Sequence, residues 1–119
     1  MLMKKIVTLP AIAAFILAAC ARTPVVEPAT DREKTEAQVI LIVCIQNAVP
    51  SLDDRISGAE VVAEAAVSQC NSHLQGVVDL YVKGTEMDRK SFERKVRSST
   101  IGSATRLVLS HRAKLNSAP

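Results

Sequence analysis

Between Asp31 and Val49 the chain reads DREKTEAQVILIVCIQNAV, and the fold class turns on whether the second half of this stretch is a strand or a helix. Val39 to Ile45 (VILIVCI) is seven apolar residues in a row, most of them β-branched. Taken alone, that run is consistent with a buried strand. The whole stretch of 19 residues, however, holds no Gly or Pro, and its first half is charged in helical style. Thr30-Asp31-Arg32-Glu33 has the form of a capping box, a polar cap followed three residues later by Glu, and Pro50 is expected to close the helix. Seven consecutive apolar positions at about 100° each leave no polar face. This helix is therefore expected to be covered on several sides, by other helices or by a partner chain.

Working towards the C-terminus, Ser51 to Ser57 reads as a polar turn, and Ser57-Gly58-Ala59-Glu60 as a second capping box. A long helix to about Val82 is predicted from Val62, Ala63, Ala66, Val67, Cys70 and Leu74, continued by Val77, Val78 and Tyr81. Gly84 stands where a left-handed C-cap is wanted. Thr85-Glu86-Met87-Asp88 starts a third helix, with Phe92, Val96, Ala104, Leu107, Val108 and His111 as its stripe. The weak helix formers of Ser98-Ser99-Thr100-Ile101-Gly102-Ser103 predict a kink there or two shorter helices. The reading is all-α: a small bundle of about three helices over residues 31–117. A chain of 119 residues has room for one such domain and none for a doubly wound sheet or a barrel. The 48% apolar content excludes a wholly disordered chain. With two Phe, one Tyr and no Trp, the core buries little area per residue, and further stabilisation is expected.

Working towards the N-terminus, Lys4 and Lys5 precede the 14 residues Ile6 to Ala19, interrupted only by Thr8 and Pro10. A permanent span needs about 20 apolar residues, so this run suits a signal segment instead. It ends in Leu17-Ala18-Ala19-Cys20, which resembles the lipobox of bacterial lipoproteins: an aliphatic residue, two small residues and an obligatory Cys. That resemblance implies a diacylglyceryl group on the Cys20 thiol, removal of residues 1–19 and a mature chain that begins at Cys20. The competing reading is an ordinary signal peptide cut at Ala-x-Ala, with Cys20 incidental. In the lipoprotein family Asp after the Cys often retains the protein in the inner membrane. Ala21 instead implies an outer-membrane lipoprotein facing the periplasm, with the inner membrane or cell surface as alternatives. Residues 20–30 then form a lipidated Cys and a spacer, since Pro24 and Pro28 favour an extended path of up to about 3.1 Å per residue.

With Cys20 assigned to lipid, Cys44 and Cys70 are left as two thiols in a compartment outside the cytoplasm, each on the apolar stripe of its own helix. A disulfide between them is expected, against the alternative of two buried free thiols. The pairing needs the 51–57 connection to climb about 10 Å past the end of the first helix, at 1.5 Å per residue.

Chemistry-bearing constellations do not emerge. His73, on a polar flank, and His111, at the end of the third stripe, lack companions at metal-ligand spacing, so no metal or cofactor is expected. Asp53-Asp54 reads as helix-entry acid rather than a catalytic pair. No phosphate loop, nucleophile elbow or reactive-Cys signature appears, and the sequence reads as a non-enzyme.

Charge is segregated. Residues 20–82 carry four basic and nine acidic side chains, residues 83–119 nine basic and three acidic. Arg89, Lys90, Arg94 and Arg97 share one side of the third helix and form a candidate contact for anionic lipid, peptidoglycan or an acidic envelope protein. Two rivals are a solvated face and pairing with Glu60, Glu64 and Asp79 inside the fold. Nucleic acid is not expected as a partner, because the chain reads as an exported lipoprotein and no aromatic shares the face of these cations to stack on bases. The function expected is that of a lipid-anchored envelope protein that binds or scaffolds. The alternative is an inhibitor, exclusion factor or accessory lipoprotein of an envelope enzyme or a secretion or conjugation system.

Overall fold

The computed structural model describes residues 25–118; the leader, Leu17-Ala18-Ala19-Cys20 and the first part of the spacer lie outside them. The described chain is all-α, with α1 (Asp31–Leu52), α2 (Ala59–Gln69), α3 (Asn71–Val82) and α4 (Arg89–Ser117). There are four helices where the sequence suggested about three, because the long middle helix is interrupted at Cys70. That residue has φ −94° and ψ 16°, outside the helical well. The interruption is a single residue long. The Cys70 N–H still donates to the Ala66 carbonyl at 3.1 Å, and the Leu74 N–H donates back to the Cys70 carbonyl at 3.1 Å. Ser68, Asn71, Ser72 and His73 crowd this point with weak helix formers, so little opposes the break. α2 and α3 thus remain one jointed rod, running antiparallel to α1 and α4.

The helix ends show which local signals act. Thr30 caps α1 by accepting from the Glu33 N–H at 3.2 Å, while the Glu33 carboxylate accepts from the Thr30 N–H at 2.7 Å. Contrary to expectation, Pro50 does not close α1 but lies inside its last turn. It removes one N–H from an exposed stretch, and the Asp53 N–H closes the helix on the Val49 carbonyl at 2.9 Å. The second capping box does not form. Gly58 is the N-cap of α2 without any side-chain bond, and Ser57 turns its hydroxyl to Asp54 instead. α4 starts behind Asp88, whose carboxylate accepts from the Ser91 N–H at 2.9 Å. It runs unbroken through Ser98 to Ser103. Thr100 and Thr105 donate their hydroxyls to the carbonyls of Val96 and Ile101, at 2.6 and 2.8 Å, so each hydroxyl finds its acceptor within the helix.

The core is small and aliphatic. Leu41, Ile45, Ala48 and Val49 of α1 meet Val62, Ala63, Ala66 and Val67 of α2, Leu74, Val77 and Val78 of α3, and Ala104 and Val108 of α4. Small residues on facing helices let α2 and α4 pack most extensively. α1 is long and apolar enough to cross a membrane by length and composition. Here its inner face, Leu41, Ile45, Ala48 and Val49, is buried in the bundle.

Cys44 and Cys70 stand at disulfide distance, Sγ to Sγ 2.10 Å with Cα atoms 6.0 Å apart. The height mismatch is smaller than the sequence suggests, because α1 continues through Pro50 to Leu52. Eight residues then separate Cys44 from the end of α1 and eleven separate Ala59 from Cys70, leaving about 4.5 Å for the 53–58 loop to absorb.

The spacer is also not free to its end. Gly84 has φ +68°, and a Cβ there would lie 2.5 Å from the Val26 carbonyl oxygen and 2.7 Å from the Pro28 nitrogen. From Val26 onward the spacer is laid against the α3–α4 turn, and Ala29 is buried.

Two stability tests follow from this packing. Cys44→Ala with Cys70→Ala is expected to cost about 3.5 kcal/mol of unfolding free energy on the chain-entropy model. Urea titration of the oxidised protein and the double variant checks this, and coincident midpoints would contradict it. Gly84→Ala combines a left-handed backbone with a clash against main chain and is expected to cost at least about 1–2 kcal/mol. Gly102→Ala, in open space on α4, is expected to stabilise by roughly 0.5–1 kcal/mol. Thermal melts of the two variants should therefore move in opposite directions.

Candidate functional site

The polar side chains of greatest structural consequence gather at two places. At the α1–α2 connection, Arg112 of α4 donates through Nη2 to Asp53 at 2.7 Å and to the Ser57 carbonyl at 2.8 Å. The Asp53 side chain is only 1% exposed, so this carboxylate depends on its cation. Asp53 also accepts from the N–H of Arg55, which sits at φ 59°, a conformation that costs a non-Gly residue energy and needs such support. Asp54 accepts from the Ser57 hydroxyl, the Ser57 N–H and the Ile56 N–H at 2.6, 2.8 and 2.9 Å. These bonds, the Ser57 hydroxyl first, hold its pKa down to about 2. The Arg112 guanidinium likewise lowers Asp53. The adjacent acids are thus loop clamps past the end of α1, not the helix-entry acids expected.

The second place is a ladder between α3 and α4. Gln75 donates to Glu93 at 2.7 Å, and Arg89 donates to Gln75 at 2.6 Å and pairs with Asp79. Arg97 donates to Asn71 at 2.6 Å and pairs with Glu93 at 3.3 Å. Hydrogen bonds from Gln75 and then Arg97 hold the Glu93 carboxyl below its usual range. The four cations expected to act as one face are therefore divided. Arg89 and Arg97 turn inward to the ladder, while Lys90 and Arg94 are exposed. Of the acids considered as internal partners, Asp79 is engaged; among the described residues Glu60 and Glu64 hold no ion pair. His73 is exposed and His111 half-buried.

Between α1 and α4 the packing leaves a trough of about 450 Å³. Leu41, Ile45, Val77 and Ala104 lie along its floor, and Tyr81 and Phe92 stand at one end, stacked with centroids 5.5 Å apart. The Tyr81 hydroxyl accepts from the Gln38 amide, and Lys34 Nζ lies 5.2 Å from the ring centre, which fixes this end. The opposite wall is made of small side chains of α4, Ser99, Thr100 and Ser103. Next to it a shallow depression is lined by Ser91, Arg94, Lys95, Ser98 and Ser99. The sequence reading passed over Lys95 and took the serine patch only as a helix breaker. The available signal was that small residues on a helix facing an all-apolar neighbour leave space between them.

The far side of α1 carries Val39, Ile40 and Val43, each 46–53% exposed, while the half-exposed Ile42 lines the trough. The expectation that this helix is covered on several sides holds for its inner face only. Among the described residues no three His, Cys, Asp or Glu side chains gather as metal ligands.

No protein-family model, curated protein or solved structure matches this chain.

The depressed carboxylates give stability a definite pH dependence. Glu33, Asp53, Asp54 and Glu93 are all lowered in the folded state, so they stabilise above the unfolded carboxylate values near 4 and lose that contribution as pH falls. The melting temperature is expected to fall between about pH 4 and pH 2, and Asp54→Asn to make the fall shallower. A flat profile over that window would contradict the clamp.

Proposed function

We propose that this chain is an exported lipoprotein, held to a membrane through Cys20, that works by binding or scaffolding in the cell envelope and not by catalysis. The observation that carries the binding role is the outer face of α1. Three neighbouring aliphatic side chains, Val39, Ile40 and Val43, stand half-exposed, while Arg89, Glu93 and Arg97 of α4 are engaged with Gln75, Asp79 and Asn71 of α3. An apolar strip with polar neighbours such as Asn47 and Gln69 has the composition of a contact surface.

The lipid anchor rests on Leu17-Ala18-Ala19-Cys20 and the charged and apolar residues before it. Two or three acyl chains hold a protein firmly where one binds reversibly, at roughly 0.8 kcal/mol per buried CH₂. The Cys44–Cys70 pair supports an oxidising location, and Ala21 supports the outer membrane, facing the periplasm. Peptidoglycan, anionic lipid or another envelope protein are the partners within reach, with Lys90 and Arg94 the exposed members of the basic group.

The anchor is tested by metabolic labelling with a fatty acid. Wild-type chain is expected to be labelled and cleaved before Cys20, and Cys20→Ser to lose the label and accumulate as precursor or soluble protein. Label that persists in Cys20→Ser would refute the assignment.

A further inference from the structure

The trough between α1 and α4 and the depression beside it form one continuous site, because Lys95 and Ser99 line both. We infer that this site binds a single-chain amphiphile, an aliphatic tail with one anionic headgroup, as in a fatty acid or a lysophospholipid. The inference goes beyond the proposed anchor and does not depend on it, since it concerns a ligand held without a covalent bond.

The tail end of the argument is geometric. Leu41, Ile45, Val77 and Ala104 give an apolar floor that a polar solute would have to desolvate itself to cover. The volume of about 450 Å³ falls in the range of small-ligand sites, roughly 300–1,000 Å³. From Lys95 to Leu107, both on the rim, α4 advances about 18 Å at 1.5 Å per residue. One leaflet's share of a ~30 Å hydrocarbon layer is about 15 Å, the reach of a single acyl chain. The trough is thus as long as the tail it would take.

The head end is electrostatic. Arg94 and Lys95 are exposed at the rim, and among the described residues neither holds an ion pair with a carboxylate. Ser91, Ser98 and Ser99 add hydroxyl donors in the same depression. Two cations and three hydroxyls beside an apolar slot complement a carboxylate or phosphate carried on a hydrocarbon chain.

The test uses cells that make the full chain and are fed a palmitate analogue bearing a diazirine and an alkyne. After irradiation the purified protein is digested and its adducts are mapped. Light-dependent adducts are expected on Leu41, Ile42 and Ile45 and on residues 96–107, their mass separating free acid from lysophospholipid. Acylation of Cys20 needs no light, so the same sample reports on the anchor separately. An unlabelled Cys20 with adducts in the trough would refute the lipid anchor and leave this site standing. Ser99→Leu with Ser103→Leu, which fills the trough from exposed positions, is expected to remove the adducts without lowering the melting temperature. Arg94→Gln with Lys95→Gln is expected to reduce them about tenfold, the worth of a charge-assisted contact. Three results would overturn the proposal: no light-dependent adduct, adducts confined to Val39, Ile40 and Val43, or adducts joined to the Cys20 peptide.

Discussion

The link between Cys44 and Cys70 joins the middle of α1 to the single-residue joint of the α2–α3 rod, and the other packing relations follow from that position. With three aromatic side chains in the whole sequence, the core consists largely of Ala and Val. Such side chains let helices approach closely but bury little area each, so a covalent constraint on the unfolded chain carries weight here. The bond fixes the height of α1 against the rod. That height determines how far the 53–58 loop must climb, and hence where Asp53 meets Arg112.

Polar chemistry then fixes what the apolar core leaves undecided. Aliphatic faces are tolerant of sliding, whereas Arg112 reaches Asp53 and the Ser57 carbonyl together at only one height of α4. The Gln75–Glu93 and Asn71–Arg97 bonds set the opposite flank of α4 against α3. α4 is therefore registered along two sides, and its third side, towards α1, is where the serine-lined trough remains open.

The parts of this architecture that were legible in the sequence are those governed by neighbours along the chain. Thr30 with Glu33, Gly84 in its left-handed position and the helical periods of α1, of the α2–α3 rod and of α4 are local signals, and they read correctly. The Cys44–Cys70 pairing was legible by elimination, once Cys20 was set aside. Pro50 and the Ser98–Ser103 patch misled, because intrinsic propensity is weak against a helix already held at both ends by packing. The joint at Cys70 was hidden among residues that fit a helical stripe. The candidate site was hardly legible at all. Whether Arg89 faces Asp79 or solvent, and whether Ser99 faces α1, depend on how separate helices are rotated, and no spacing within one helix encodes that.

The contact of Val26 and Pro28 with the α3–α4 turn acts as a leash shortener. Only six residue steps separate Cys20 from Val26, at most about 20 Å of chain, where a spacer free to Asp31 would allow nearly twice as much. With the proposed lipid on Cys20, the start of α4 is the end of the bundle kept nearest the bilayer, and Lys95 lies about 9 Å along that helix from Arg89. A short leash raises effective concentration without adding any contact of its own. Arg94 and Lys95 would meet headgroups at a far higher local density than the same domain released into solution, so modest intrinsic affinity at the rim would suffice for occupancy.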